Sequence, residues 1–537
     1  MKKKILFALI SSMFIFTASG CKRYIRLKNE EPTIENVDKI GKYIKNMDLS
    51  FNDVTFKSLM DEAINDIKGA TSYDEVNDRT IKVFNKVQEL IKKYYIADAL
   101  YYYDPDNEYY EQTRDALYDV YIEYEAFRAN LIYELKDNFE ILQEIFQGYT
   151  DEEINYEIEL SKKKKDEKYK TLKKEIEDIE TEFNKLEVSL SNKSNNSQIL
   201  EILYRYVNKN KELSSYLGFD SYTYYKDIDH KIIYTDSDRE KLFSLTKEYI
   251  LPLMDKMDAK KKVSSLSYPE FAYLSEFEST SAFDKDYNTI NLAKDYAKDM
   301  GGTYYKTFNN FLNSGHYIFA SGEGSLETAY TDPYLSYFGP NYQDIGTVIH
   351  EFGHYYSMNY GYADYKSLDL QEFYSQANEF LFLSYLEQNC QSNLKKVYDT
   401  EVYLRLSTAC KTLMIGSAYR EFEDKIYSTT LTAPSDIYDI WNNLNKNEYD
   451  NKLDDYWKFE IRYNLYYLSY ATSVTGAISL YSYSRTNFTD AKLKYISACN
   501  NTNMDDDIEE ILKKNNLSTP FEEETFIEMK KLIEEKG

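Results

Sequence analysis

The chain has 537 residues, 43% of them hydrophobic, and a formal net charge of −26, so it can bury a large core and its length suggests more than one structural lobe. That charge excludes a protein that gains affinity by neutralising phosphates, and nucleic acid is not an expected partner. With 8 Pro and 17 Gly set against long runs rich in Lys, Glu, Leu and Ile, the chain lacks the punctuation of all-β sandwiches and reads as mostly α.

The first residues carry a targeting pattern. Lys2, Lys3 and Lys4 form a positive region, Ile5 to Thr17 an apolar run, and Ala18-Ser19-Gly20 a small-residue site before Cys21. This is the layout of a bacterial lipoprotein signal, with Cys21 as the lipidated first residue of the mature chain; an ordinary signal peptide cut nearby or an uncleaved anchor are the alternatives. It departs in one place, Ala18 standing where Leu is usual. The expected protein is exported and held at the outside of the cell membrane through that lipid anchor alone. Cys390, Cys410 and Cys499 are widely spaced with no CxxC pair, so they read as small buried hydrophobes rather than metal ligands.

Residues 21–50 are polar and read as a spacer. Residues 51–195 read as an N-terminal helical lobe, in which Ile81 to Ile91 repeats apolar residues at helical spacing. Between Tyr156 and Leu190 the spacing of Leu172, Ile176, Ile179, Phe183, Leu186 and Leu190 alternates four and three. It predicts one long helix packed in an antiparallel pair. The polar stretch 191–197 breaks the periodicity, and residues 196–537 form the second expected domain. There Ile199 to Leu217 predicts a helix ended by Gly218. From Gly301 to Pro340, Gly, Ser, Thr and aromatic residues replace the Lys/Glu helices, and Tyr317–Ala320 and Leu326–Tyr330 suit short strands. A small sheet there either offers an edge to an extended peptide or caps the next helix.

That helix carries His350-Glu351-Phe352-Gly353-His354. Imidazoles four residues apart on one helical face can reach a single metal ion, and Glu351 beside the first can act as a general base without occupying a coordination position. Only 4 His occur in the chain, at 230, 316, 350 and 354, which makes a chance pairing improbable. A second helical pattern begins at Asp369, with Glu372, Gln376 and Glu379 on one face. Glu379, 25 residues after His354, is the expected third ligand, leaving a fourth position of one Zn²⁺ open for water. Acidified toward a pKa of about 7, that water would lose its proton to Glu351 while attacking the peptide carbonyl.

These segments resemble the M3 zinc peptidases, the thimet-oligopeptidase-like and oligoendopeptidase-F-like enzymes, over roughly Leu203 to Thr475. His350 to His354 matches their HEFGH signature, and Glu372-Phe373-Tyr374-Ser375-Gln376-Ala377-Asn378-Glu379 resembles the segment that ends in their third zinc ligand. The resemblance implies His350, His354 and Glu379 as ligands, Glu351 as general base and Glu372 as a carboxylate orienting a ligand imidazole. Read from its position alone, Glu372 could instead answer Asp369 in a capping box. Asn313 to Tyr317 and Asp332-Pro333-Tyr334 resemble the family's substrate-binding edge, which makes Gly315, His316 and Tyr317 candidate substrate contacts. The family more often has a small residue at the place of His316.

Arg462 to Ser473 resembles the Tyr-rich helix that faces the substrate carbonyl. Tyr470 is its best-anchored match, with Tyr463 and Tyr467 nearby, while Tyr466 fits packing as readily as function. The family's usual His before these tyrosines is missing, so the oxyanion would rest on Tyr alone. The resemblance also implies an elongated, two-lobed helical body, a deep central channel with zinc at its floor, a monomer, and oligopeptide substrates cut internally. The rival reading is a non-catalytic exported lipoprotein that binds peptide or metal. Glu351 speaks against it, because a pure binder has no use for a base.

Overall fold

The structure, a computed structural model, describes residues 39–146, 149–186, 190, 192–256, 289–320, 324–326, 328–340, 344–361, 366–389, 394–501, 503 and 506–536. The signal-like segment with Cys21, and Cys390, lie outside the described residues. The described residues are mostly helical, with one sheet of three short strands: β1 (Tyr317–Phe319), β2 (Ala329–Thr331) and β3 (Ser336–Phe338). β3 lies in the middle, parallel to β1 and antiparallel to β2. No described helix is long and apolar enough to cross a membrane.

Two buried clusters organise the molecule. One runs from Ile44 to Ile158 and the other from Leu160 to Ile533. The sheet joins them through the period-two alternation of strands. Ile318 and Tyr337 enter the first cluster, while Tyr317 and Phe338 enter the second. Three expectations shift accordingly. Residues 39–50, read as spacer, belong to the fold: Ile44 and Leu49 are buried and Ile40 bridges to Ile318. The long helix is two, Asp151–Lys164 and Glu167–Asn184, because Asp166 takes extended backbone angles that interrupt the ladder. Its heptad residues Leu172, Ile176, Ile179 and Phe183 are buried as the spacing implies, but in the second cluster, so the core changes near residue 159 rather than at 195. The helix Asn196–Leu217 does end at Gly218, whose φ of 92° completes a left-handed cap.

Candidate metal centre

Two helices build the site, the motif helix Ile345–Gly361 and the carboxylate helix Leu368–Gln388. Asp344 starts the first by accepting from the Thr347 backbone N–H at 3.0 Å, as an N-terminal cap does. Ser367 starts the second through the Leu370 N–H, so Asp369 and Glu372 form no capping box. Asp369 is buried instead, which pushes its carboxyl up to about 7. The helices touch at Gly353, where an added Cβ would come within 2.8 Å of the Ser375 Cα and 3.0 Å of the Tyr374 carbonyl oxygen. Only glycine permits that approach. Asn378 fastens it, donating to the Ile349 carbonyl at 2.7 Å while accepting from the hydroxyls of Tyr296 and Tyr304.

This crossing decides what the two carboxylates do. Glu372, one turn before it, places Oε2 3.7 Å from His350 Nε2 and 3.6 Å from His354 Nε2. The three side chains converge within 4.8 Å. Glu379, one turn after the crossing, lies on the opposite edge of the His350 ring, 2.6 Å from Nδ1. The expected roles of the two glutamates are therefore exchanged in space: the carboxylate facing both Nε2 atoms is Glu372. Tetrahedral bonds of about 2.0–2.2 Å set donor atoms about 3.3–3.6 Å apart, so this set fits a divalent ion with little movement. His354 Nδ1 is buried without a partner among the described residues.

The electrostatics follow the same division. Burial alone would lower His350, but the hydrogen bond and charge of Glu379, helped by Glu351 and Glu372, push it up to about 9. Burial lowers His354, and the charge on His350 lowers it further. Glu372 is fully buried, which pushes it up to about 7 against the pull of His350 and Tyr466. A bound cation would hold Glu372 ionised and displace the proton from Nε2 of His350, leaving the Nδ1–H donated to Glu379. Glu379 is raised by burial but lowered on balance by Arg405 and His350. Arg405, on the helix Leu394–Ser428, donates to Glu379 and lies 3.4 Å from Glu401. Sequence reasoning missed Arg405. Its one signal was the Glu401–Arg405 spacing, which is common on solvated helix faces.

Glu351 is 4% exposed, and burial raises its carboxyl. Thr331, at the end of β2, donates to its Oε2 at 2.7 Å, a contact the sequence did not suggest. The other edge of the sheet is closed: Gly41 donates to the Tyr317 carbonyl at 2.9 Å and Phe319 to the Lys39 carbonyl at 2.7 Å. The expected substrate contacts on that side therefore serve the fold. Gly315 caps a helix at φ 74° against Lys42, the His316 ring stacks on Tyr43 and bonds the Tyr334 carbonyl, and Tyr317 is buried. Among the described residues, β2 pairs with β3 alone.

The tyrosines divide as well. Tyr466 donates to Glu372 Oε1, and its ring lies 5.0 Å from that of Tyr470. Burial and then the charge of Glu372 raise both hydroxyls. Tyr467 instead packs against Tyr419 and Tyr463 at 4.6 and 4.8 Å. Tyr466 is thus at the centre, and Tyr467 is in an aromatic stack beside it.

No protein-family model and no curated protein matches the sequence. Solved structures do match the fold. PZ peptidase A in complex with an inhibitor superimposes with a TM-score of 0.72 at 15% identity, covering 92% of this chain and 99% of that one. A Bacillus anthracis protein assigned as an oligoendopeptidase F gives 0.68 at 14%, with 93% and 98% covered. Oligoendopeptidase-F from Enterococcus faecium gives 0.57 at 12%, with 90% and 96% covered.

Proposed function

From a chain with the fold of the M3 oligoendopeptidase F and PZ peptidase structures, we propose a zinc-dependent endopeptidase that hydrolyses internal bonds of oligopeptides. The observation that carries this is the convergence of His350, His354 and Glu372 on one point, with Glu351 on the same helix as the two imidazoles. His350, His354 and Glu372 would hold the ion. A bound Zn²⁺ would supply Lewis acidity, polarising a carbonyl and bringing the pKa of a water to about 7. Glu351, oriented by Thr331, accepts the proton of the attacking water and returns it to the leaving amine. Glu379 and Arg405 keep the His350 ring in one tautomer and one orientation. Tyr470 donates to the oxygen on which charge develops, and Tyr466, whose hydroxyl is given to Glu372 Oε1, holds that carboxylate in place. An extended peptide pairs along the open edge of β2, which places its backbone beside Glu351. Export and anchoring through Cys21 complete the proposal, with a monomer acting on peptides outside the cell.

The test is Glu351→Gln in purified, zinc-loaded protein given a mixed peptide library. Turnover should fall by about 10²–10⁴-fold with the metal content unchanged. Cleavage at the wild-type rate would sink the mechanism. Metal bound to a wild-type protein that cuts nothing would favour the non-catalytic binding reading.

A further inference from the structure

Beside the cluster lies a cavity of about 500 Å³ whose charge opposes that of the chain. Its wall comes from the helices Glu108–Glu134, Asp151–Lys164, Glu167–Asn184, Asn196–Leu217 and Tyr222–Asp229 together with residues 461–466. Gln371 and Tyr466 belong to that wall, and Tyr466 donates to Glu372, so the cavity and the metal centre share a boundary. The volume suits a short stretch of peptide.

Acidic residues outnumber basic ones 91 to 65 in the whole chain, yet seven Lys or Arg side chains line this cavity against four carboxylates. A low-dielectric cleft lined by one sign of charge concentrates the opposite sign. Lys226 is neutralised locally by Asp229 at 2.6 Å. Lys164, Lys173 and Arg462 have no carboxylate within ion-pairing distance among the described residues. Lys164 feels Glu125, Glu157 and Asp229 only at longer range, and Lys173 feels Tyr118 first and then Glu125, with Glu177, Glu180 and Asp229 also within its field. Asn210, in the same wall, is 2% exposed and its Nδ2 has no acceptor among the described residues. Burial pushes Glu157 and Glu180 up to about 7 and lowers Lys164 as well, so the cationic surplus of the wall rests on the number of groups, seven against four. Unpaired cations and an unsatisfied amide donor make up the donor set that a carboxylate satisfies.

We infer that this cavity binds a carboxylate of the substrate, so that the protein selects oligopeptides presenting one there, from the free C-terminus or from an Asp or Glu side chain. The inference rests on the peptidase reading for the identity of the ligand as a peptide. Its test separates the two.

Binding is measured to the Glu351→Gln protein, which retains peptide without turning it over, using one decapeptide in four forms: neutral with a free C-terminus, neutral with a C-terminal amide, and the amide form with a single Glu or the matching Gln. A charge-assisted contact makes one carboxylate form bind at least about tenfold tighter than its neutral counterpart. Whichever pair shows the gap identifies the source, and the gap narrows at high salt. Arg462→Gln and Lys164→Gln each bring the ratio toward unity, whereas Arg462→Lys keeps most of it. Because the ratio is taken within each variant, partial misfolding does not mimic the result. Equal affinity for all four peptides, or preference for the uncharged forms, overturns the inference even where wild-type protein cleaves them. A charge preference in a protein that cleaves none of them supports the inference and removes the peptidase reading instead.

Discussion

The candidate metal centre and the tyrosine segment face one another, and they are built on opposite plans. The centre lies between two regular helices, and its charges are matched by opposite charge: His350 against Glu379, and Glu379 against Arg405. The tyrosine segment leaves helical geometry. Residues 461–466 form turns, with Leu465 at φ 54°. Beneath them lie two fully buried carboxyls, Glu423 and Glu460. Glu423 accepts from the Leu465 N–H at 2.6 Å, and Glu460 from Asn464 at 2.8 Å. Burial raises both, and the charge of Glu460 raises Glu423 further. One region is held by opposite charges, the other by like groups that stay together only while protonated.

The largest effect expected from this contrast is at Glu372, the first of the two glutamates on the carboxylate helix. Glu372→Gln removes an oxygen facing both Nε2 atoms and should cost zinc affinity and activity together. Glu379→Gln leaves the three converging side chains in place and loosens only the His350 ring, a loss of about 10–100-fold. Zinc titration of the two variants against a competing chelator checks the order. A larger loss for Glu379→Gln would return the third-ligand role to Glu379.

Why the sequence misassigned this pair is a matter of geometry. Glu372 and Glu379 are seven residues apart and share a helical face, so periodicity brings both toward the motif helix and cannot rank them. The ranking comes from the height at which the helices cross, which Gly353 and Ser375 set. His350, Glu351 and His354 were legible because their geometry is internal to one helix. The mostly helical fold and the buried heptad face were legible for the same reason. Thr331 and Arg405 were not, since their partners lie 20 and 26 residues away and no local pattern links them. The tyrosines were read as if on a continuous helix. The helix begins only at Tyr467, so Tyr466 turns to Glu372 and Tyr467 turns away.

The tyrosines come next, below the combined loss of zinc and activity expected for Glu372→Gln. Removing a hydroxyl that donates to the developing oxyanion costs about 10²–10³ in kcat, and Tyr470→Phe should fall in that range with zinc retained, whereas Tyr466→Phe takes away the donor to Glu372 and should cost zinc affinity as well, by about 10–100-fold. Tyr463→Phe and Tyr467→Phe should lose less than about tenfold, since aromatic packing survives the change. Steady-state kinetics on the four variants decides it. A deficit at Tyr467 matching that at Tyr470 would restore the helical reading.

The smallest effect separates the two regions by pH. Glu460 is pushed up from 4.5 to about 8 by burial, with Asn464 and Tyr427 pulling the other way. The folded protein therefore keeps a proton that the unfolded chain gives up above about 4.5. The resulting stabilisation is complete below the unfolded value and is lost as pH rises through about 8. Glu460→Gln, which still accepts from Asn464 and Tyr427, removes that dependence. It should melt on the order of 1–2 °C above the wild type at pH 8.5, with the advantage shrinking or reversing at pH 5. Hydrogen exchange should show residues 461–466 opening more readily at pH 8.5 than at pH 6 in the wild type, and the variant abolishing the difference. Equal exchange at both pH values in the wild type would mean that the buried carboxyl pair does not hold the tyrosine segment.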